Sequence, residues 1–262
     1  MLTLSRRTAA LTLFSVLLLV ASPARAAELR VISSGGGLAS LKAVAPEYQK
    51  QTGNHLSFDF GPSMGDTPNA IPQRLARGEN IDALVMVGYA LDKLVEEGKV
   101  TDPADVALSK IGAAVKQGAA KPDVSTVDGL RQAMLAAHTI AVSDSASGVY
   151  IQNEMIKKLG IEGQVRSKIR MIPADPVGGV VAKGEADLGF QQISELKPVV
   201  GIAILGPLPD AMQDVTLYKA GVVESSRQKE LARAFIRFLT SPEAAAAIRE
   251  SGLEPVSPTQ AR

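Results

Sequence analysis

The feature that most constrains the fold is a regular alternation of short apolar runs with amphipathic stretches. An apolar run at 29–33 precedes apolar residues at helical spacing across 38–52, and further apolar runs follow at 55–60 and 81–88. Strands that alternate with helices predict βαβ units, and hence parallel sheets whose crossover connections are right-handed. We therefore expect an α/β fold.

The same alternation starts again in the second half of the chain. Apolar runs at 110–116, 139–144, 169–173 and 186–192 are separated by amphipathic stretches, and a hairpin is expected from 200–209 and 215–223. Two such series predict two lobes with a cleft between them. Residues 27–107 and 225–262 are expected to form the first lobe, and residues 108–224 the second.

The first residues are typical of an export signal. Arg6 and Arg7 precede an apolar run at 9–20, and an A-x-A cleavage site follows at 24–26. The run is shorter than the roughly 20 apolar residues that cross a membrane. We expect residues 1–26 to be removed as a signal peptide and the mature protein to be periplasmic, exported by either the general or the twin-arginine route.

Composition excludes several classes of function. The chain has no cysteine, which excludes disulfides, thiol nucleophiles and thiolate metal sites. Its net charge is +1 and aromatic residues make up 4% of it, with no tryptophan, so a nucleic-acid partner is not expected. No later apolar run reaches membrane length, and we expect neither a membrane-embedded segment nor a metal or cofactor.

The glycine-rich stretch "VISSGGGLASL" at 31–41 raises the question of a nucleotide. Ser40 stands where the dinucleotide fingerprint has its third glycine, and no acidic residue closes a second strand about twenty residues further on. No Gly-Lys-Ser/Thr follows either, which excludes a P-loop. The turn is therefore expected to hold an anion smaller than a nucleotide.

Five predicted turns follow the carboxyl ends of strands, where open α/β sheets bind their ligands. Four of the five are crowded with hydroxyls and glycines, and all lie before helix starts that favour an anion. The alternative is that Ser, Gly, Asp and Pro are simply the residues of turns and caps. The five turns are 33–37, 61–69, 143–148, 173–179 and 191–194.

Segments spread along the chain resemble the periplasmic molybdate-binding proteins and their relatives, the two-lobed receptors of ABC importers. The resemblance is carried by "VISSGGGLASLKAVAPEYQKQTG", "IAVSDSASGVYIQNEMIKKLG", "VGGVVAKGEADLGFQQISE" and "ARAFIRFLTSPEAAAAIRESG". It implies the type II periplasmic binding protein fold, in which each lobe is a mainly parallel sheet flanked by helices. It also implies an ABC permease partner if the protein is a receptor.

The binding loops depart from the molybdate pattern. The first turn is longer, Ser63 matches a family hydroxyl but precedes an insertion, and Gln192 stands where the family has a tyrosine. These departures imply a larger ligand with several carboxylates. They resemble the departures seen in the aconitate isomerase branch of the family. The residues expected to bind the substrate are Ser33, Ser34, Gly35, Gly36, Ser63, Met64, Asn69, Ser145, Ser147, Gly148, Val177, Gln191 and Gln192.

An isomerase of this kind needs a group that moves a proton between carbon atoms. The candidates are Tyr89, Asp144 and Asp175 at strand ends and Tyr150 early in the helix that follows 143–148. Asp144 and Asp175 have a second interpretation as helix caps, and Tyr150 has one as a core residue.

Two other classes of function compete with an isomerase. His55 and His138 lie at the ends of strands away from the expected cleft, and no G-x-S-x-G motif is present, so a serine hydrolase is not expected. A receptor needs the same amide and hydroxyl donors as an isomerase but no base. The sequence therefore predicts a cleft for a small organic anion and leaves enzyme and receptor as alternatives.

Overall fold

The structure is a computed structural model that describes residues 26–173 and 175–256. The predicted signal peptide therefore lies outside the described residues except for Ala26. Within the described part of the chain, no helix is both long and apolar enough to cross a bilayer. Two separate sheets, each flanked by helices, confirm the α/β prediction.

The first lobe is built on a six-stranded sheet of order β11-β4-β10-β3-β1-β2. Its early elements follow the predicted alternation and are β1 (Glu28–Ser33), α1 (Gly35–Thr52), β2 (His55–Phe60), α2 (Ile71–Ala76), β3 (Ala83–Val87), α3 (Gly88–Glu96) and β4 (Val100–Ser109). Helix α1 begins three residues before the predicted residue 38, because the glycines form its first turn.

The second lobe is built on a five-stranded sheet of order β7-β6-β8-β5-β9. A π-helical turn at Ile151–Met155 joins α5 to α6, so that residues 146–158 form one continuous helix. The elements are β5 (Ile111–Lys116), α4 (Val127–Ala136), β6 (Ile140–Ser143), α5 (Ala146–Tyr150), α6 (Ile156–Lys158), α7 (Glu162–Val165), β7 (Ile169–Ile172), α8 (Val177–Lys183), β8 (Leu188–Gln192), α9 (Ile193–Leu196) and β9 (Ile202–Pro207).

The chain then returns to the first lobe. Strand β10 (Thr216–Val223) lies between β3 and β4 and runs antiparallel to both. Helices α10 (Lys229–Leu239) and α11 (Pro242–Glu250) and the short strand β11 (Glu254–Pro255) complete this lobe.

The expected pairing of 200–209 with 215–223 is therefore wrong. Strand β9 pairs with β5 in one sheet, whereas β10 pairs with β3 and β4 in the other. The predicted limit of the second lobe at 224 is also too late, because β10 lies in the first lobe's sheet. Two adjacent apolar strands predict a hairpin, but the apolar pattern of β10 does not specify its partner.

Each sheet is mixed rather than mainly parallel. The predicted βαβ units supply the parallel pairs, which are β1 with β2 and β3, and β6 with β7 and β8. The antiparallel pairs all involve strands next to the crossings between the lobes: β10 with β3 and β4, β4 with β11, and β5 with β8 and β9. Only Lys110 separates β4 from β5, so one nearly continuous strand connects the two lobes.

Candidate functional site

The first turn of α1 supplies main-chain amides at the end of β1. Ser34 precedes the helix in an extended conformation, and its amide donates to the carbonyl of Val85 on the neighbouring strand (3.1 Å). Ser33 is fully buried, and its hydroxyl donates to the carbonyl of Ser34 (2.9 Å). The first amides of a helix lack partners within the helix and carry partial positive charge.

The loop after β2 lies beside this helix start. The amide of Gly61 donates to the carbonyl of Ser33 (3.1 Å), and the buried Ser63 hydroxyl accepts from the amide of Val87 (3.2 Å). Met64 and Asn69, predicted as binding residues, are both exposed on this loop. The structure thus brings Ser63, but not these two side chains, into the buried end of the first lobe.

The second lobe contributes a cluster of three hydroxyls at the start of α5. The Ser143 hydroxyl lies 2.7 Å from that of Ser145 and 3.1 Å from that of Ser147. Ser143 and Ser147 are buried, whereas Ser145 is exposed. Because each hydroxyl can rotate to donate or accept, the cluster can turn a donor towards an anion.

Glu195, which the sequence patterns did not indicate, lies between the two lobes. It belongs to α9 of the second lobe, yet a side chain at Gly35 of the first lobe would place its Cβ 3.1 Å from the Glu195 carboxyl carbon and from both oxygens. The Glu195 carboxyl therefore lies directly over the first turn of α1.

Gln191 orients this carboxyl. Its side-chain oxygen accepts from the amide of Val177 (3.0 Å), which leaves its NH₂ group to donate to Glu195 Oε2. Gln191 is predicted as a substrate-binding residue, and the structure gives its amide these two partners within the protein.

Burial raises the pKa of Glu195 from its usual 4.5 to about 7. The hydrogen bond from Gln191 opposes this rise, and the nearby Asp144 carboxylate adds to it. Glu195 is thus an acid that exchanges its proton near neutral pH, the property required of a general acid or base.

Tyr218 of β10 packs against the first turn of α1, the turn that the Glu195 carboxyl also contacts. A Cβ at Gly36 would lie 2.3 Å from the Tyr218 phenol oxygen, so α1 packs directly on the ring. Burial and the Glu195 carboxylate raise the pKa of Tyr218, which keeps the phenol neutral as a hydrogen-bond donor. The nearby Ser34 hydroxyl opposes this rise, because it can donate to the phenol oxygen. The Ser34 Oγ atom is buried, and its geometry does not meet the criteria for a hydrogen bond.

The predicted candidate bases occupy different surroundings. Tyr89 is 59% exposed, and lost hydration together with Asp214 raises its pKa. The Tyr150 ring packs in the core of the second lobe, as its alternative interpretation anticipated, and its hydroxyl donates to the carbonyl of Met212 (3.2 Å). Asp144 and Asp175 are exposed, and Asp144 is near enough to Glu195 to influence its pKa.

Gln192 lies at the crossing between the lobes. Its side-chain oxygen accepts from Ser109 Oγ (2.7 Å) and its NH₂ group donates to Thr216 Oγ1 (3.1 Å), with all three residues buried. The structure therefore places the Gln192 amide against the last residue of β4 and the first residue of β10, and both of its polar ends are occupied there.

A groove of about 470 Å³ opens beside this site. Residues of α3, of α5 and of the segment before and within β10 line it, among them Gly88, Tyr89, Ala146 and Lys219. The groove extends from the first lobe to Ala146, the first residue of α5. Within the described residues no three His, Asp or Glu side chains are grouped to hold a metal ion.

The fold and this site define a class of two-lobed proteins that bind a small solute between their lobes. The model of the bacterial extracellular solute-binding protein family matches residues 29–254, and the chain belongs to this family. A protein from Pseudomonas sp. named aconitate isomerase is 50% identical over 249 residues, which cover 94% of each chain.

Solved structures show the same fold at low sequence identity. The periplasmic molybdate-binding protein of Azotobacter vinelandii aligns with a TM-score of 0.69 and 22% identity, over 86% of this chain and 98% of its own. PEB3, a Campylobacter jejuni protein solved with L-phospholactate bound, aligns with a TM-score of 0.64 and 16% identity, over 86% and 99%.

Proposed function

We propose that this protein is a periplasmic aconitate isomerase that binds aconitate between its lobes and moves its double bond. The observation that carries this proposal is the 50% identity to aconitate isomerase over 94% of both chains. The geometry supports it, because helix starts and hydroxyls from both lobes suit carboxylates, and a proton-exchanging carboxyl lies between them.

The reaction needs one proton to leave the methylene carbon and one to arrive at the far end of the allyl system. In between, negative charge spreads onto a substrate carboxylate. Preformed amide and hydroxyl donors stabilise such charge, and removal of one such donor commonly costs about 10²–10³-fold in rate. The amide of Gly35 and the hydroxyls of Ser145 and Ser147 are the donors that we assign to the substrate carboxylates.

The second candidate is a receptor that delivers a small organic anion to an ABC permease. Membership of the solute-binding family and the similarity to a molybdate-binding protein favour it. Receptor and enzyme would use the same donors, so binding alone does not separate them.

Isomerisation in D₂O separates the two candidates. The mature protein, at one hundredth of the substrate concentration, is incubated with trans-aconitate and followed by proton NMR. We expect cis-aconitate to accumulate to equilibrium over many turnovers. Tight binding of aconitate without conversion would instead identify a receptor, and a thermal shift with molybdate alone would contradict both organic-acid functions.

Replacing Ser145 by alanine tests the hydroxyl cluster. We expect Ser145→Ala to weaken trans-aconitate binding roughly ten- to hundredfold, because a hydrogen bond to a charged group is worth about 1.5–3 kcal/mol. Ser125→Ala is the matched control, since its exposed hydroxyl bonds only Asp123 among the described residues and Ser125 belongs to none of the five predicted binding turns. Calorimetric titration measures both, and equal affinities would place the substrate elsewhere.

A further inference from the structure

We propose that Glu195 carries the proton during isomerisation and that Gln191 is the residue that positions it. This inference rests on the proposed function and adds the identity of the acid–base group. The candidate bases from the sequence are placed differently, since Tyr89, Asp144 and Asp175 are exposed and the Tyr150 hydroxyl is bonded to the main chain.

The position of Glu195 is the first argument. Its carboxyl projects from the second lobe and lies against Gly35 of the first. A substrate held by the starts of α1 and α5 must lie beside this carboxyl. Glu195 as a residue is partly rather than fully buried.

The fixed orientation of the carboxyl is the second argument. The Val177 amide holds the Gln191 oxygen, so the Gln191 NH₂ group is directed at one carboxyl oxygen of Glu195. That hydrogen bond occupies Oε2 and leaves Oε1 to exchange a proton. A carboxyl held in this way keeps the geometry that proton transfer to and from carbon requires.

The surrounding charges allow both protonation states near neutral pH. Burial and the Asp144 carboxylate favour the acid, while the Gln191 NH₂ group and the positive end of α1 favour the carboxylate. Tyr218, on the strand below, is a neutral phenol. These opposing effects are consistent with the pKa of about 7 for Glu195.

The step then balances without a cofactor. The Glu195 carboxylate takes a proton from the methylene carbon, and the electron pair of that C–H bond forms the new double bond to the central carbon. The far carbon of the old double bond then takes the same proton from the Glu195 carboxyl, and the electron pair of the old double bond becomes the new C–H bond there. No electrons are gained or lost, and the carboxylate is regenerated.

Glu195→Gln is the direct test, with Glu185→Gln as the matched control because Glu185 is exposed on the same lobe. We expect Glu195→Gln to lower kcat about 10²–10⁴-fold while the Kd for trans-aconitate changes less than about threefold. Glu185→Gln should keep the activity of the unmodified protein. A Glu195→Gln variant that isomerises at the control's rate would overturn the inference, whereas an unmodified protein that converts nothing would contradict the proposed function instead.

The thermal stability of Glu195→Gln distinguishes a catalytic from a structural role. The folded-state pKa of Glu195 is raised, so the unmodified protein loses stability as pH rises from about 4.5 through about 7. Glu195→Gln removes this loss, and we expect its Tm to exceed that of the unmodified protein at pH 8 and to match it near pH 4.5. A lower Tm at pH 8 would indicate a structural role.

Gln191→Met tests the positioning residue through the pH profile. With the unmodified protein, kcat/KM should rise with pH through about 7, because the base must be ionised to accept a proton. Loss of the Gln191 hydrogen bond raises the pKa of Glu195, so the midpoint should move to higher pH in this variant. An unchanged midpoint in a folded variant would exclude a positioning role for Gln191.

Discussion

Replacement of Gly148 by alanine is expected to destabilise the protein severely, because the added methyl group has no space. A Cβ at this position would lie 1.7 Å from the carbonyl oxygen of Ser143 and 2.7 Å from its carbonyl carbon. Ser143 ends β6, which pairs on both sides with β7 and β8, so its main chain cannot yield. We expect Gly148→Ala to lower the free energy of unfolding by about 4 kcal/mol or more.

Gly179→Ala is the matched control for this prediction. Gly179 lies in α8 of the same lobe, and a Cβ there would meet nothing within 4 Å. Alanine should be neutral there or stabilise the helix by about 0.5–1 kcal/mol. Urea unfolding measures both variants. A Gly148→Ala protein as stable as the control would mean that α5 does not pack on β6 as described.

Gly36→Ala is expected to have the second-largest effect, on stability and on activity together. Its Cβ would lie 2.3 Å from the phenol oxygen of Tyr218 and 2.8 Å from the ring carbon that bears it. The buried ring cannot move aside, so the start of α1 must shift. We expect a loss of about 2–3 kcal/mol in stability and at least about tenfold in affinity for trans-aconitate.

A double mutant isolates the contact responsible. Tyr218→Phe removes the oxygen atom that the new methyl group meets most closely. Gly36→Ala combined with Tyr218→Phe should therefore lose less stability than the sum of the two single variants, by about 1 kcal/mol or more. Additive losses would show that the methyl group acts elsewhere.

The order of helices and strands could be predicted from the sequence because it depends on local patterning. Apolar periodicity located β1 to β3 and β6 to β8 within a few residues. The partner of β10 could not be predicted in this way. Its antiparallel place between β3 and β4 depends on how the chain returns across the two lobes, which is a property of the whole fold.

The candidate site was predictable to a similar extent. The starts of α1 and α5 were found because hydroxyls and glycines after a strand are a local signal. Glu195 lies one residue beyond the predicted turn 191–194, and its spacing of four from Gln191 was the available signal. Tyr218 could not be found, because its strand is predicted in the second lobe, far from the glycines that it contacts.

Gln192 illustrates a different limit. Its position in the sequence matched a ligand-contacting position of the family, but its amide bonds Ser109 and Thr216 at the crossing. Those partners lie 83 and 24 residues away in the chain, so no local pattern indicates them.

A crystal structure of Glu195→Gln grown with trans-aconitate would test the central claim most directly. We expect a substrate carboxylate at the first turn of α1, another at the Ser145–Ser147 hydroxyls, and the methylene carbon within about 3.5 Å of the side chain at position 195. Aconitate bound only in the groove beside Tyr89 and Lys219, with both helix starts free, would contradict this account.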